Sequence, residues 1–323
     1  MLNKLKRVAA AIALMATAFA STAYVAPTVA AEENTEENKP AVWLQISPVS
    51  SRVTLEAGKA LEYSFTVSNI GSEGFTFSVY AAPYTIKSES YDVNFSEETN
   101  RTQISRWIQF KDKDGNWVDT TKFTIPSDGR QTVEYRVNVP NDIPEGGQYA
   151  AIFAETEPSS DSNSASGLKT VSRAGLIVYG RTNGETRDSA EIKDFEFNTF
   201  LTSGKVSTGA RIVNNGNTDF ESKYTMTIKS LFGKTIYEKD NSYNVLPDTT
   251  RKIHMEWDDT PSFGIFRATA RVTAGSEVHE ESKIVMIVPL FIIIIVLILL
   301  TILIVWTIIL IKKRNEQKAK LVV

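Results

Sequence analysis

Short runs of alternating apolar and polar residues fill most of the chain between residues 41 and 282. Every second position is apolar in three of these runs, at residues 61–67, 75–79 and 133–139. This spacing predicts strands with one buried face. Turn-forming residues such as Asn69-Ile70-Gly71 and Asp114-Gly115 separate the runs. Because no stretch of this region keeps a helical repeat of apolar residues, we predict that it is nearly all β.

The C-terminal segment has a different pattern. Residues 284–311 carry no charge and are apolar except at Pro289, Thr301 and Thr307. At about 1.5 Å per residue, a helix of this length would cross a hydrocarbon core of about 30 Å. The sequence therefore predicts a single transmembrane helix at 284–311. The cluster of three basic residues at 312–314 predicts that the tail, 312–323, is cytoplasmic.

The N-terminus has the pattern of a secretory signal peptide. Lys4, Lys6 and Arg7 precede an apolar run at 8–20, and small residues suited to cleavage follow at 18–20 and 28–30. The alternative is an uncleaved second membrane helix, but Pro27 and the acidic residues after position 31 would interrupt it. A signal peptide at 1–30 and one C-terminal helix predict a single-pass protein of the cell membrane, with the N-terminus outside.

Charge and cysteine content restrict the possible partners. Without the basic residues of the signal and the charged residues of the tail, 27 basic and 37 acidic residues remain. This negative charge argues against nucleic acid as a partner, and against binding anionic polymers by bulk attraction. The chain has no cysteine, so neither disulfides nor thiolate metal sites can stabilise it.

The exported part is long enough for two domains. We predict an acidic leader at 31–40, then two tandem immunoglobulin-like β-sandwich domains at 41–182 and 186–282. The Ser-rich segment 157–170 is interpreted as a flexible loop inside the first domain, and 182–187 as the joint between the domains. The alternative places the domain boundary at the Ser-rich segment itself.

An internal similarity supports two related domains. Residues 61–75 can be aligned with 206–220, and both segments contain a strand with alternating apolar positions, an Asn-x-Gly turn and a second strand that opens with Phe. We expect asparagine and glycine in these turns to adopt positive φ.

Residues that could carry catalysis do not form a recognisable set. Neither His254 nor His279 has a partner with metal-ligand or triad spacing. Segment 111–116 departs from the calcium-loop pattern and fits a hairpin turn better. Segment 246–250 resembles a sorting signal, but it ends in Thr and lies far from the apolar run. We therefore expect a protein that is not an enzyme, with no catalytic residues, no metal site and no cofactor.

Weak candidates for a binding role are Gly146, Gly147 and Tyr149. Paired glycines followed by small residues inside a strand allow another backbone or a ring to approach closely. The segment could be a packing point between sheets or the floor of a groove, and packing is the more common use.

Several short motifs resemble the WxL-interacting surface proteins of monoderm bacteria. These motifs are Ile46-Ser47-Pro48, a strand that ends in Val67-Ser68-Asn69, and the segment 144–149 that leads into a strand. The resemblance implies two β-domains, the first associated with peptidoglycan and the second with protein partners, and no catalysis. The opening strand is also similar to that of pilus-assembly chaperones.

These observations predict a membrane-anchored extracytoplasmic binding or adhesion protein of the bacterial cell surface. Its expected partner is cell-wall glycan or another surface protein of neutral or basic character. The alternative is a chaperone-like accessory of surface protein assembly or export.

Overall fold

A computed structural model of the chain describes residues 40–158 and 171–320. The predicted signal peptide, most of the acidic leader and most of the Ser-rich segment lie outside the described residues. The part from Pro40 onward forms one compact unit. Its described residues contain twenty strands and the C-terminal helix α1 (Leu290–Lys320). Two short strands, β5 (Thr85–Ile86) and β6 (Val93–Asn94), pair only with each other.

Two five-stranded sheets enclose the first core, and we call them the N-terminal sheet pair. Sheet 1 has the order β1-β3-β10-β7-β8 and sheet 2 the order β2-β12-β11-β4-β9. Both contribute alternate residues to one buried cluster that includes Phe65, Phe77 and Phe110. The strands are β1 (Leu44–Ser47), β2 (Ser50–Leu55), β3 (Ala60–Asn69), β4 (Phe75–Pro83), β7 (Ile108–Lys111), β8 (Trp117–Val118), β9 (Thr120–Ile125), β10 (Arg130–Asn138), β11 (Gly147–Thr156) and β12 (Arg173–Thr182).

A second core lies between sheets 3 and 4, the C-terminal sheet pair. Sheet 3 has the order β13-β15-β18 and sheet 4 the order β14-β20-β19-β16-β17. Tyr224, Met226 and Trp257 are among the buried residues that fill this core. The strands are β13 (Ala190–Phe197), β14 (Phe200–Leu201), β15 (Ser207–Asn214), β16 (Phe220–Ser230), β17 (Thr235–Val245), β18 (Thr249–Glu256), β19 (Gly264–Ala274) and β20 (Glu277–Ile287).

The two sheet pairs share one arrangement of strands. In each, the first strand, β1 or β13, pairs antiparallel within one sheet. The second strand, β2 or β14, lies in the opposite sheet and pairs parallel with the last strand of the pair, β12 or β20. The strand pairing of the first sheet pair is therefore repeated in the second, and the division into two domains stays a prediction.

The aligned Asn-x-Gly turns make equivalent hydrogen bonds. Oδ1 of Asn69 accepts from the Gly71 N–H, and Oδ1 of Asn214 accepts from the Gly216 N–H, each at 2.9 Å. Each amide nitrogen also donates to two backbone carbonyls, those of Glu73 and Pro126 for Asn69 and those of Thr218 and Val245 for Asn214. Both asparagines are buried, so these bonds satisfy side-chain groups that water cannot reach.

The expected positive φ at these turns is wrong. The φ angle is not positive at Asn69 or Gly71, nor at Asn214 or Gly216. The glycines are needed for space, because a Cβ at Gly71 would collide with the backbone of Ala41 and one at Gly216 with the backbone of Arg187. In both turns a preceding segment of the chain crosses directly over the glycine.

The Ser-rich segment connects neighbouring strands of one sheet. β11 ends at Thr156 and β12 begins at Arg173. The two strands pair antiparallel, from Gly147 opposite Arg181 to Glu155 opposite Arg173. The strands on either side of the segment therefore lie next to each other in sheet 2. The position of the domain boundary stays a prediction. The connection between the sheet pairs runs from the end of β12 at Thr182 to the start of β13 at Ala190.

The apolar C-terminal run begins as a strand rather than a helix. Residues 284–287 complete β20 and pair with β19, which buries Val285 and Ile287 and exposes Ile284 and Met286. The helix starts only after Pro289, so the predicted start at 284 and the predicted domain end at 282 are both wrong. The part of α1 long and apolar enough to cross a membrane is Leu290–Lys312, with mean hydropathy 3.4. The basic residues after it continue the same helix to Lys320.

Buried tyrosines predict a loss of stability at alkaline pH. Tyr224 donates a hydrogen bond to Thr208 Oγ1 at 2.7 Å, and burial raises its pKa to about 12. Between about pH 10 and 12 the unfolded chain releases a proton that the folded chain retains, so the free energy of unfolding falls by about 1.4 kcal/mol per pH unit. Below pH 10 both states are protonated and this contribution is intact.

We expect Tyr224→Phe to reduce that alkaline decline. Urea unfolding at pH 9 should show a loss of about 1 kcal/mol from the missing hydrogen bond. Between pH 9 and 11, the variant should lose about 1.4 kcal/mol less than the parent chain. Equal declines for both chains would contradict the prediction.

Candidate binding cleft

A cleft of about 530 Å³ lies where the two sheet pairs meet. Its volume is in the range of common ligand sites. Three segments of the N-terminal sheet pair and the β17–β18 turn of the C-terminal pair form its walls and floor. The lining residues are Tyr84, Thr85, Ile86, Glu97, Thr99, Asn100, Arg101, Thr102, Pro144, Glu145, Tyr149, Leu246, Pro247, Asp248 and Thr249.

One wall is the segment 97–102, which leads into a short 3₁₀ turn at Gln103–Arg106. Two hydrogen bonds to its backbone carbonyls hold it against β11. The Tyr149 N–H donates to the Arg101 carbonyl at 2.7 Å, and Gln148 Nε2 donates to the Asn100 carbonyl at 2.7 Å. A local bond from the Thr99 N–H to Thr102 Oγ1 at 2.8 Å tightens the turn. The segment is therefore an irregular stretch with a defined shape.

The opposite wall is the turn from Leu246 to Thr249. The Leu246 N–H donates to the hydroxyl of Tyr91 at 2.6 Å, and the Asp248 N–H donates to the Asn214 carbonyl at 2.9 Å. Thr249 Oγ1 donates back to the Leu246 carbonyl at 2.7 Å. Tyr91 lies in the connection between β4 and β7 of the N-terminal sheet pair, so this wall is attached to chain segments of both pairs.

Tyr149 forms part of the floor and is 1% exposed. Its ring packs with Tyr84, Tyr179 and Leu246 in a small core between the sheet pairs. Its hydroxyl accepts from the Asp219 N–H at 2.9 Å and donates to Asp219 Oδ1 at 3.3 Å. Burial, and then the charge of Asp219, raise the pKa of Tyr149, so the hydroxyl stays protonated and available as a donor.

Asp219 connects the junction to a further set of contacts. Its side chain is 3% exposed, and Oδ2 accepts from Arg52 NH1 at 2.6 Å. The same guanidinium donates through NH2 to Asn244 Oδ1 at 3.0 Å and lies over the Tyr179 ring. Direct polar contacts therefore join the two sheet pairs on both sides of Tyr149.

Arg101 spans the cleft between its two walls. Its Nε and NH2 approach Asp248 Oδ2 at 3.0 and 2.9 Å, and its NH1 donates to the Asn217 carbonyl at 2.9 Å. Glu97 and Glu145 add two more carboxylates to the lining. With three carboxylates and one guanidinium that already contacts one of them, the cleft attracts cationic rather than anionic groups.

The predicted candidates Gly146, Gly147 and Tyr149 all lie at this junction. Gly146 has φ +99°, and a Cβ there would collide with the Asn217 carbonyl. The Gly147 N–H donates to that same carbonyl at 2.8 Å. The glycines therefore allow close packing of the two sheet pairs, and only Tyr149 reaches the cleft. A binding role for the three residues stays a prediction.

Apart from Pro144 and Glu145, which lie in the motif 144–149, no sequence pattern pointed to the other lining residues as part of a binding site. Arg101 stood in no motif, and Leu246–Thr249 was interpreted only as an imperfect sorting signal. Arg101 and the turn at 246–249 are both remote from residue 149 in sequence, so only the fold brings them to the same cleft. The one available signal was Asp248, since an Asp in a Pro-Asp turn tolerates positive φ, and its φ is +59°.

The remaining motifs have simple structural roles. The Asp112 carboxylate accepts the N–H groups of Asp114 and Asn116 in the β7–β8 hairpin, so the predicted hairpin turn is present. His254 lies on the exposed face of β18, with its Nε2 at 3.5 Å from Glu256 Oε1. Among residues 40–158 and 171–320, no group of three or more potential ligand side chains could hold a metal ion.

Comparisons with known proteins give only distant matches. No family model and no curated protein matches the chain. Among solved structures, the class 5 fimbriae chaperone CfaA has 14% identity and a TM-score of 0.37, over 76% of this chain and 100% of its own. The Escherichia coli chaperone DraB has 10% identity and a TM-score of 0.35, over 74% and 98%. The Pseudomonas aeruginosa CupB2 chaperone has 10% identity and 0.34, over 73% and 97%. No conclusion about function follows from similarity this low.

Proposed function

We propose that this protein is a non-enzymatic, membrane-anchored binding protein that works outside the cytoplasm and receives a segment of another surface protein in the cleft. The acidic cleft between two sheet pairs joined by direct polar contacts carries the proposal. The apolar part of α1 would be the anchor, and the basic residues that follow it favour a cytoplasmic C-terminus.

The lining of the cleft supports a protein segment over a glycan. Ile86, Pro144 and Pro247 offer apolar side chains next to the carboxylates of Glu97 and Glu145. The two tyrosines of the cleft, in contrast, are buried in the junction and do not present an open ring face. A neutral or basic peptide can satisfy both kinds of contact, with side-chain cations near the carboxylates and apolar side chains against the walls.

Charge reversal at Glu145 tests this function. The full-length protein in lipid nanodiscs is titrated with two synthetic peptides of equal apolar content, one lysine-rich and one glutamate-rich, and with purified wall polysaccharide. We expect the lysine-rich peptide to bind best and Glu145→Lys to weaken its binding by up to about fivefold, since an exposed ion pair contributes up to about 1 kcal/mol.

Asp114→Lys is the matched control, because it changes the net charge equally at an exposed residue of the β7–β8 turn, outside the lining. It should leave peptide binding within about twofold of the parent chain, since a distant surface charge acts weakly at physiological salt. Equal losses for both variants, or binding of polysaccharide alone, would contradict a peptide-binding cleft.

An assembly accessory is the second candidate function, and an open sheet edge favours it. In the described part of the chain, β9 pairs with β4 alone, so the other side of β9 is available for an added strand. A client strand added there would slow amide exchange in β9 and leave the segment 97–102 unchanged. A ligand in the cleft would give the opposite result.

A further inference from the structure

Exposed apolar side chains form a row on the outer face of sheet 4. Phe200 of β14 pairs with Met286 of β20, and Met286 pairs with Ile265 of β19. All three side chains point away from the buried core and are exposed, Phe200 to 57%. The row crosses three neighbouring strands at the end of the sheet where α1 begins. Soluble surfaces rarely keep such residues contiguous without a partner.

The β16–β17 turn adds the most exposed aromatic residue of this end. Ser230 pairs with Phe266, which in turn pairs with Val285, so the turn after Ser230 projects toward the start of α1. Leu231 and Phe232 occupy this turn, and Phe232 is 100% exposed. Phe263, exposed to 61%, precedes β19 at the same end. We call these six residues the apolar rim: Phe200, Leu231, Phe232, Phe263, Ile265 and Met286.

The position of the rim follows from the continuity of the chain. Only Val288 and Pro289 separate the last residue of β20, Ile287, from the first residue of α1. A chain of that length spans about 10 Å at most. If α1 enters a bilayer at Leu290, the rim therefore lies at the height of the lipid interface.

The residues behind the rim have the complementary character. Lys229 pairs with Arg267, and Arg267 pairs with Ile284, one step farther from α1 on the same outer face. Two residues along a strand correspond to about 7 Å. Two cations therefore stand at the level that lipid phosphates would occupy above an inserted apolar rim. Farther along the face, polar residues such as Thr227 and Thr269 follow.

An acidic residue of this end is neutralised locally. Asp258 follows β18 and contacts Lys205 Nζ at 3.0 Å and Lys239 Nζ at 3.3 Å. These hydrogen bonds with Lys205 and Lys239 hold its pKa below the usual value, so it remains an ion paired with two cations. It does not present an unbalanced negative charge to a phospholipid surface.

We propose that the apolar rim inserts into the outer lipid interface and holds the C-terminal sheet pair against the membrane in one orientation. This inference rests on the proposed membrane anchor, because α1 brings the rim to the lipid. The rim then acts as a second, peripheral contact, with Phe232 and Phe263 as its aromatic anchors. It sets the direction in which the cleft faces.

Single-cysteine labelling tests the insertion, since the chain has no native cysteine. The full-length protein is reconstituted, one copy per nanodisc, in phosphatidylcholine with phosphatidylglycerol, and labelled with an environment-sensitive fluorophore. Lipids that carry a quencher in the acyl chain report contact with the hydrocarbon. Labels are placed at Lys234→Cys beside Phe232, at Ile298→Cys within α1, and at Lys113→Cys in the exposed β7–β8 turn.

We expect labels at 234 and 298 to lose most of their fluorescence to the lipid quencher, and the label at 113 to lose none. Phe232→Asp added to the Lys234→Cys chain should remove quenching at 234, and the same substitution added to the Ile298→Cys chain should leave quenching at 298 intact. Quenching at 298 without quenching at 234 would overturn the inference while the anchor stands. No quenching at 298 would overturn the anchor and, with it, the inference. Shielding at 234 that depends on several copies per disc, without lipid quenching, would assign the rim to contact between copies and also overturn it.

Discussion

Replacing Asn214 by Leu is expected to lower the local stability of the C-terminal sheet pair by about 3 kcal/mol, because it leaves buried backbone groups without hydrogen-bond partners. Asn214 is buried, accepts from Gly216 N–H and donates to the carbonyls of Thr218 and Val245. Leucine has a similar volume but can replace none of these bonds. Hydrogen–deuterium exchange of the full chain in nanodiscs should show amides of β15 and β16 exchanging about a hundredfold faster.

Asn215→Leu is the matched control, since Asn215 is the exposed neighbour in the same turn. Its backbone N–H donates to the Ser189 carbonyl at 2.8 Å and is retained in any variant. We expect exchange within about twofold of the parent chain for this control, as for most surface substitutions. Asn69→Leu should produce the large effect in β3 and β4 and leave the C-terminal sheet pair unchanged. Similar exchange in the Asn214 and Asn215 variants would show that the buried amide contributes little.

The period-two pattern was sufficient to predict the strands because it reports burial of one face directly. The similarity of residues 61–75 to 206–220 could also be found from the sequence. Each turn requires an asparagine amide for its hydrogen bonds and, two residues later, a glycine because there is no room for a Cβ. The reason assigned to those glycines was wrong. Sequence shows that a side chain is absent, but whether φ or a crossing segment requires its absence depends on tertiary structure.

The start of the C-terminal helix illustrates a second limit. Residues 284–311 form one uninterrupted apolar run, and periodicity alone cannot divide a strand from a helix within such a run. Pairing with β19 decides the outcome for residues 284–287, because it satisfies their backbone groups and buries two side chains. Pro289 was the available signal, since proline is tolerated at a helix start and not inside it.

Sequence patterns indicated only one part of the cleft, the segment that ends at Tyr149. Paired glycines before Tyr149 indicated a close approach, but the approaching partners, Asn217 and Asp219, lie far along the chain. The overall negative charge predicted a neutral or basic partner, and the carboxylates of the cleft have the same sign. Arg101 was invisible to sequence reasoning because its role depends on Asp248 meeting it across the junction.

Gly146→Ala is expected to separate the two sheet pairs at this junction. The added Cβ would collide with the Asn217 carbonyl, and the residue would be held at φ +99°, where a side chain is strained. Moving that carbonyl also weakens its bonds from Gly147 N–H and Arg101 NH1. We expect a loss of about 3 kcal/mol in local stability, with about 1–2 kcal/mol from strain and the remainder from the lost contacts. Hydrogen exchange at the Tyr149 amide should measure it.

Gly204→Ala separates backbone strain from the collision of the added Cβ, because Gly204 has φ +91° but a Cβ there meets no atom within 4 Å. Backbone strain alone should therefore cost the control about 1–2 kcal/mol, and only within the C-terminal sheet pair. The Gly146 variant should in addition speed exchange on both walls of the cleft and weaken binding of the lysine-rich peptide, since Arg101 and Asp248 would no longer be held together. If both variants lost equal stability and the cleft walls were unaffected, the close approach at Gly146 would be a local feature, and the junction would not determine the shape of the cleft.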